Sequence, residues 1–428
     1  MIMKIEIAKP TINPFGGLNF VIDEIKKNGI NTLIDNELGS RSSQSTYQYS
    51  DVFMALWLIF FSGGDCAEDI EDHLEDCFKR CPGIELPSAD TILRVQKELS
   101  TEKEIHISKQ GIEHEFNINL AMNKLNIKML TQLGLLKVNK EYDFDYDNQL
   151  IPTEKYDSKL SYKMKKGYFP GIASIDDMPV YIENRNGNSN VKYLQEDTLE
   201  RAYGLLKEEG IKINRSRMDC GSYTKDIVSV VEKNSRYFYI RAQKCADLEE
   251  KVREIENWET VIINYKKYEV ASIEYYPFGL KDKSYRLVIM REPNKTGQAN
   301  LFTGDAMKYR SILTDDMQST EKEAIEYYNQ RGRSEKVFDV MNNDFGWNKM
   351  PFSFMNENTV FLVAMAMCKN LYKYLIEKFS KTFKFLKKNF RLKKFIFRFI
   401  TVAAKWIKRG RQNTLKVYTD KPYKLALY

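Results

Sequence analysis

Three side chains that can do chemistry recur at intervals of three and four residues in the segment YYNQRGRSEKVFDVMNNDFGW, residues 327–347. They are a phenol, a guanidinium and a carboxylate, contributed by Tyr328, Arg331 and Glu335. On one continuous helix these side chains and that of Asn342 fall within roughly 60 degrees of one another. The phenol and the guanidinium can hold phosphate oxygens, and the carboxylate can bind a metal ion. The competing interpretation is the solvated face of an ordinary amphipathic helix.

Three aspartates alternate with aromatic residues in the segment EYDFDYDNQL. On a strand, Asp143, Asp145 and Asp147 share one face, where like charges repel unless a cation lies among them. A solvated strand face is one alternative. A calcium loop is another, because these aspartates and Glu154 stand at positions 1, 3, 5 and 12 of the EF-hand pattern. Against the loop, Asn148 stands where the turn glycine belongs.

A further acid, Asp219, ends a predicted strand in RSRMDCGSY and precedes a predicted helix. Taken alone, it either caps that helix or belongs to a site at the strand end. Taken together, two strand-borne aspartates and one helix-borne glutamate supply hard oxygen ligands for a pair of Mg²⁺ ions, beside a Tyr and an Arg that can hold phosphate. This combination is what two-metal phosphoryl transfer needs.

The elements that must position these residues fall into two kinds. Residues 18–130 are predicted to be mainly helical, with Ser88 or Asp90 as the N-cap of the helix in SADTILRVQKEL. From about Lys137, strands alternate with helices, which predicts a mixed sheet with helices packed on it. The strand-rich text that follows is interpreted as an insertion, and two long helices are predicted after it, at 319–343 and 358–378.

Composition argues against several other classes of protein. The chain has 428 residues, of which 43% are hydrophobic, so it can bury a large core. Its six cysteines form no C-x-x-C pair, and none of its three histidines stands in a zinc or Ser-His-Asp motif. The N-terminus has no signal-peptide pattern, and the apolar runs VFMALWLIFF and FLVAMAM are too short to span a bilayer. We therefore expect a cytoplasmic location, reduced thiols and no membrane partner.

Positive charge is concentrated near the C-terminus. The net charge of +7 is modest, but no Asp or Glu occurs between Lys378 and Thr419. The stretch from Lys381 to Arg411 carries twelve Lys or Arg, which predicts sequence-independent affinity for nucleic acid. Its interleaved phenylalanines are predicted to pack as a helix core rather than to stack on bases.

The order Asp147, Asp219, Glu335, with YNQRGRSE around the glutamate, resembles the DDE transposases of bacterial insertion sequences. The similarity is to the group with the signature Y-x-x-R-x-x-x-E-x-x-x-x-x-x-K. The blocks LPSADTILRVQKEL, YDNQLIPTEKYDSKLSYKMKKGYFPG, RMDCGSY and NDFGWNKMPFS also look like that group, so the resemblance covers nearly the whole chain.

The resemblance implies an α/β fold, a ribonuclease H-like mixed sheet flanked by helices, with a β-rich insertion and an N-terminal helical DNA-binding region. The implied boundaries are 1–135 for the DNA-binding region, 136–245 and 319–378 for the two parts of the catalytic domain, 246–318 for the insertion and 379–428 for the basic C-terminal region.

The resemblance also assigns roles to residues. Asp147, Asp219 and Glu335 take the catalytic and metal-ligand positions, for Mg²⁺ with Mn²⁺ as a substitute, and Tyr328 and Arg331 contact terminal phosphates.

Two positions depart from the family pattern. Members usually carry Thr or Ser two residues after the first acid, where Gln149 stands here, so Asp145 remains an alternative first ligand. Asn342 takes the place of the signature lysine as a DNA contact.

The implied activity is cutting of element ends by two-metal phosphodiester hydrolysis, followed by joining of the 3′-OH ends to target DNA. The implied partners are double-stranded DNA, as terminal inverted repeats and as target, and a second copy of the chain in a synaptic dimer, located on the nucleoid through its DNA. A hairpin end is a further implied step. The alternatives are a catalytically silent, transposase-derived DNA-binding protein, and a structural protein whose basic tail stacks on nucleic acid. The presence of all three acids favours the enzyme.

Overall fold

The computed structural model describes residues 12–79, 81–279, 283–294, 297, 299, 304 and 306–423. Residues 1–11, where a signal peptide would begin, lie outside this part of the chain.

Strands are concentrated in the middle of the chain. In order they are β1 (Glu104–Ile107), β2 (Glu113–Asn117), β3 (Glu141–Asn148), β4 (Ile151–Pro152), β5 (Lys159–Leu160), β6 (Lys166–Tyr168), β7 (Gly171–Ile175), β8 (Met178–Arg185), β9 (Lys212–Met218), β10 (Tyr237–Arg241), β11 (Glu259–Ile263), β12 (Lys266–Tyr275), β13 (Tyr285–Pro293), β14 (Met307–Thr314), β15 (Ala403–Arg409) and β16 (Gln412–Tyr418).

Helices lie before and after the strand-rich middle of the chain and in the connections between its strands. They are α1 (Leu18–Lys27), α2 (Ile30–Leu38), α3 (Tyr49–Ser62), α4 (Glu75–Phe78), α5 (Ala89–Glu98), α6 (Leu120–Gln132), α7 (Gln195–Glu208), α8 (Lys225–Asn234), α9 (Ala246–Arg253), α10 (Glu321–Asn329), α11 (Arg333–Asp344), α12 (Met355–Thr382) and α13 (Leu392–Phe395).

Eleven strands form one mixed sheet, in the order β1-β2-β8-β7-β3-β9-β10-β14-β13-β12-β11. The central strand β3 pairs parallel with β9, and β9 pairs parallel with β10. The other neighbouring strands of this sheet pair antiparallel. Helices connect the parallel strands, as a parallel crossover requires. The predicted mixed α/β architecture is therefore confirmed.

The strands β11 to β14 continue this same sheet, because β14 pairs with β10. The stretch interpreted as an insertion thus adds its strands to one edge of the sheet. The domain boundaries given above stay predictions.

A second feature of the fold is one hydrophobic core shared by both ends of the chain. It joins residues of α1, α3, α6 and α12 with the basic C-terminal region, including the fully buried rings of Phe383, Phe395 and Phe399. The indole of Trp57 on α3 donates a 3.0 Å hydrogen bond to the carbonyl of Ala364 on α12. The N-terminal helices are therefore packed against the C-terminal half of the chain.

Three local predictions are corrected by the structure. The hairpin β1–β2 lies within the stretch predicted to be mainly helical, where its charged, partly exposed strands carry a weak strand signal. The helix predicted at 319–343 is interrupted by a 3₁₀ turn at Gln330–Gly332. In the described part of the basic C-terminal region, the end of α12 is followed by the short helix α13, a π turn at Ile396–Ile400 and the hairpin β15–β16, so the buried rings after Thr382 pack without a long helix of their own.

Two further local features are the cap of α5 and the burial of the apolar helix α12. Ser88 caps α5 by accepting a hydrogen bond from the backbone N–H of Thr91, as predicted. Among the described residues, α12 alone has the length and composition to cross a membrane, but 89% of its apolar window is buried inside the protein, as in a core helix.

Candidate active site

The site is built on the neighbouring parallel strands β3 and β9, whose charged side chains meet in register. Asp143 lies opposite Arg215, and Asp145 lies opposite Arg217. Each pair is bidentate, with N–O distances of 3.0 and 2.7 Å in the first and 2.6 and 2.7 Å in the second. The cations that relieve the repulsion along β3 thus include two guanidiniums of the next strand. The calcium-loop interpretation is wrong, because these aspartates lie on a strand and bind arginines.

Asp147 and Asp219 lie together where the two strands end. The last ladder pair is Tyr146 with Met218; Asp147 is the next residue of β3, and Asp219 is the first residue after β9. The carboxylate of Asp219 raises the pKa of Asp147, which is evidence of their proximity. The structure therefore brings together the two strand-borne acids that the sequence singled out.

Arg331 supplies the cation next to this pair. Its Nη1 donates a 2.7 Å hydrogen bond to Oδ2 of Asp147. Burial raises the pKa of Asp147 to about 6, against the lowering effect of Arg331 and with a further increase from Asp219. Above that pH, Asp147 is a largely desolvated anion beside a second carboxylate, and a cation nearby stabilises its charge.

Asp145 has a different environment from Asp147. It is almost fully buried, and both of its oxygens accept from Arg217. Burial raises the pKa of Asp145, against the lowering effect of Arg217. Arg217 also donates to the carbonyl of Tyr327 over 2.8 Å, so the pair ties β3 and β9 to the end of α10.

Asp219 caps a short 3₁₀ turn rather than the helix α8. Its Oδ1 accepts from the N–H of Gly221 at 2.9 Å, across a 3₁₀ turn at Cys220–Ser222. The helix α8 is capped instead by Thr224. Within the described part of the chain, Oδ2 of Asp219 accepts no hydrogen bond, so this oxygen is open to another ligand.

The end of α10 and the 3₁₀ turn place the phenol and the guanidinium over the strand ends. The hydroxyl of Tyr328 donates to the carbonyl of Met218, the residue before Asp219, over 3.2 Å. Burial raises the pKa of Tyr328 to about 12, so it is a neutral hydrogen-bond donor near pH 7. The ring of Tyr327 lies 3.8 Å from the guanidinium of Arg215 and 4.5 Å from that of Arg217, which fixes this segment on β9.

Glu335 and Asn342 do not contact the group formed by Asp147, Asp219, Tyr328 and Arg331 in the described part of the chain. Glu335 is exposed in the first turn of α11. Among the described residues, the one trio of possible metal ligands with atoms within 4.8 Å of one another is Asp65, Cys66 and Asp69, so the predicted trio does not converge to that distance. Asn342 lies two turns beyond Glu335, in a surface pocket with Asp65, Lys349 and Lys393 among its lining residues.

Arg215 and Arg217 were missed by sequence reasoning. The signal was present, because arginines two residues apart in RSRMD match aspartates two residues apart in DFDYD on a neighbouring strand. It could be used only once the pairing of β3 with β9 was known.

Comparison with known proteins identifies the family of the chain. A family model described as "Transposase DDE domain group 1" matches residues 15–428. No curated protein matches the chain. One similar solved structure is described as a cryo-EM structure of a piggyBac transposase synaptic complex with hairpin DNA; it is 13% identical, with a TM-score of 0.43, over 91% of this chain and 79% of that one. Because the family model spans nearly the whole sequence, the chain belongs to the DDE transposases.

Proposed function

We propose that this DDE transposase serves a bacterial insertion sequence, binds its terminal inverted repeats, cuts them by two-metal phosphodiester hydrolysis and joins the 3′-OH ends to target DNA. The observation that carries the proposal is the pair Asp147 and Asp219 at the ends of β3 and β9, with Arg331 bound to the first and Tyr328 bound beside the second. Two acids and two phosphate-binding groups at one end of a sheet suit phosphoryl transfer.

The strand arrangement supports a ribonuclease H-like core. In the order β8-β7-β3-β9-β10, three antiparallel strands are followed by two parallel ones that are reached through helices. In an open sheet of this kind, functional side chains collect at the carboxyl ends of the parallel strands. Asp147 and Asp219 occupy those ends.

The acids fit a hard divalent cation. Asp147, Asp219 and Glu335 offer carboxylate oxygens, the ligands that Mg²⁺ and Mn²⁺ prefer, and no soft ligand belongs to the set. Asp147 already binds a cation, the Arg331 guanidinium, and Oδ2 of Asp219 is open. When bound, Mg²⁺ or Mn²⁺ would activate the attacking oxygen and stabilise the leaving 3′ oxygen. For Glu335 to complete the set, its exposed side chain must turn towards the two aspartates.

The remaining roles belong to the chain's own side chains. Arg331, when it leaves Asp147, can form a bidentate contact with a phosphate group, and the neutral phenol of Tyr328 can donate to a phosphate oxygen. Contacts of the Tyr327 ring with the guanidiniums of Arg215 and Arg217 hold the segment that carries Tyr328 and Arg331 at the strand ends. We propose a homodimer, in which each copy presents one such site to one of two paired DNA ends.

Nicking of labelled end duplexes in Mg²⁺ tests the proposal. We expect Asp147→Asn, Asp219→Asn and Glu335→Gln each to abolish nicking while leaving end binding nearly intact, since each removes a metal ligand rather than a DNA contact. Near-normal cleavage by Asp219→Asn would refute the site. End binding without nicking by the unmodified protein would favour the silent DNA-binding protein.

A further inference from the structure

A small sheet continues the strands beyond the end of β3 at which Asp147 lies. We call residues 151–168 the arm; it contains β4, β5 and β6, which pair antiparallel in the order β4-β6-β5. The arm continues the β3–β7 pair, because Asn148 lies opposite Gly171 and Ile151 lies opposite Tyr168. From Gly171 to Lys166 the chain covers five residues, or about 17 Å at the rise of a strand. The outer end of the arm thus lies at most about 17 Å from the strand ends, the length of about five stacked nucleotides at 3.4 Å per nucleotide.

The turn at the outer end of the arm exposes apolar and cationic side chains together. All five residues from Tyr162 to Lys166 are exposed. Tyr162 is 69% exposed and Met164 is 77% exposed, which is unusual for side chains of this size. The ammonium of Lys163 lies 5.5 Å from the ring centroid of Tyr162. In the described part of the chain, Lys163 and Lys165 make no ion pair with a carboxylate.

The turn is held in position rather than loosely attached. The ring of Tyr162 meets the buried ring of Phe169 edge-on, with centroids 5.9 Å apart. The backbone N–H of Ser161 donates to the carbonyl of Lys165 at 2.9 Å, and that of Met164 donates to Ser161 at the same distance. One face of the tyrosine ring is therefore pre-oriented at low entropic cost for an external partner.

The base of the arm is tied to the body of the protein through a buried acid. Asp157 accepts from Lys103 at 3.0 Å, from the backbone N–H of Met355 at 3.0 Å and from the hydroxyl of Tyr168. This carboxylate is therefore engaged inwards. Five lysines and two acids occur in the arm. Lys159 pairs with Glu113 and Glu115, and Lys166 lies 3.8 Å from Glu154, so the uncompensated positive charge of the turn is that of Lys163 and Lys165.

We infer that the turn from Tyr162 to Lys166 binds the DNA strand beside the cleavage site, with Tyr162 and Met164 against unpaired bases and Lys163 and Lys165 on phosphates. A tyrosine ring stacks on any base, and a methionine thioether packs on aromatic faces. Charge decides between DNA and a second copy of the chain, because unpaired lysines fit a polyanion. The inference rests on the proposed function only for the statement that the bound DNA strand is the one that is cut. The proposed contacts with unpaired bases and phosphates do not depend on it.

The test compares binding to two DNA probes without divalent metal, so that cleavage is not required. The probes are a 30-base-pair duplex and the same duplex with four unpaired bases at its centre, measured by fluorescence anisotropy. We expect Tyr162→Ala to weaken binding to the unpaired probe about ten-fold and binding to the full duplex much less. The double variant Lys163→Gln, Lys165→Gln should lower the slope of log affinity against log salt by about two for both probes.

A matched control exists in the hairpin β11–β12, where a fully exposed Tyr265 is followed by Lys266 and Lys267. Its strands form one edge of the eleven-stranded sheet, and four strands separate them from β3 and β7, which the arm continues: β9, β10, β14 and β13. Tyr265→Ala and Lys267→Gln should leave both affinities unchanged. Equal effects of Tyr162→Ala and Tyr265→Ala on the unpaired probe overturn the inference. A change in oligomeric state of the Tyr162→Ala protein without DNA, by sedimentation, also overturns it, because the turn is then a subunit contact.

The two proposals fail separately. Unchanged affinity of Tyr162→Ala, in a protein that cuts ends normally, removes only the role of the arm. Absence of metal-dependent nicking, with the selective loss of unpaired-probe binding in Tyr162→Ala, removes only the proposed catalysis.

Discussion

The guanidinium of Arg331 lies on the carboxylate of Asp147, with Nη1 donating to Oδ2 over 2.7 Å. The two residues are 184 positions apart in the chain and meet because β3 ends where the turn after α10 begins to lead into α11. Arg331 therefore neutralises the same carboxylate that a divalent cation would bind. Cation and guanidinium compete for one oxygen, and this competition can be measured.

Arg331→Ala should strengthen divalent-metal binding in the absence of DNA. Without the guanidinium, Asp147 faces Asp219 with no protein cation on its Oδ2, so a metal ion gains more on binding. The measurement is the increase in Tm on adding Mn²⁺ at pH 8.5, where Asp147 is ionised. The matched control is Arg215→Ala, which removes a guanidinium from Asp143 on the same strands and should leave the Mn²⁺ effect as in the unmodified protein. Equal Mn²⁺ effects in all three proteins would show that Arg331 does not compete.

Asp145→Asn should destabilise the protein much more than Asp147→Asn. The Asp145 substitution leaves the buried guanidinium of Arg217 without its charged partner, which costs about 3–5 kcal/mol. Arg331 is more exposed than Arg217, so it can find solvent when Asp147 is replaced. Urea unfolding of both variants measures the difference. A stable Asp145→Asn protein without nicking activity, beside an active Asp147→Asn protein, would instead make Asp145 the first metal ligand.

The basic C-terminal region must be tested by charge rather than by truncation. Removal of everything after Ser380 also removes Phe383, Phe395 and Phe399 from the core, so we expect that truncation to unfold the protein. The triple variant Lys387→Gln, Lys388→Gln, Lys393→Gln changes exposed side chains only. It should lower the slope of log affinity against log salt by about two to three for any duplex.

The matched control for the C-terminal region is a core substitution. Phe399→Ala should lower the free energy of unfolding by about 3–5 kcal/mol without a specific effect on the salt slope of the folded protein. If the triple lysine variant keeps the unmodified slope, these charges do not contact DNA.

Asn342→Lys tests whether the end of α11 approaches DNA. A lysine there should tighten binding to cleaved ends and steepen the salt slope by roughly one, whereas Asn342→Ala should leave the slope unchanged. The pocket around Asn342 is lined by Lys349 and Lys393 as well as Asp65, so other cations are already near. An unchanged slope for Asn342→Lys would place this position away from bound DNA.

Lys369 should make stability depend on alkaline pH. It is buried on α12 and donates to the backbone and side chain of Asp177; burial lowers its pKa to about 8, against the raising effect of that aspartate. The unfolded chain, with a pKa near 10.4, binds more protons between these values, so stability rises as pH increases through them. Relative to Lys369→Met, the unmodified protein should gain about 2 kcal/mol between pH 7.5 and 9.5 in urea unfolding. A difference that does not change with pH would mean that Lys369 stays fully charged when buried.

The sequence by itself determined the alternation of strands and helices from β3 to α8 and the residue types of the site. Alternating aspartates and aromatics must lie on opposite faces of a strand, so Phe144 and Tyr146 had to be buried if the acids lined a site. It also determined the family, because a family model of the DDE transposases matches residues 15–428. These features depend on local periodicity and on the order of residues along the chain.

Only the tertiary structure decided which side chains surround each of the three aspartates of β3. Asp143, Asp145 and Asp147 alternate in the same way along the sequence. The register of β3 with β9 pairs Asp143 with Arg215 and Asp145 with Arg217. Asp147 lies instead beside Asp219 and binds Arg331. Likewise, the tightened turn between α10 and α11 placed Arg331 on Asp147, where an uninterrupted helix had been predicted. Strand register and inter-element contacts join residues far apart in sequence, and no local pattern encodes the geometry of such pairs.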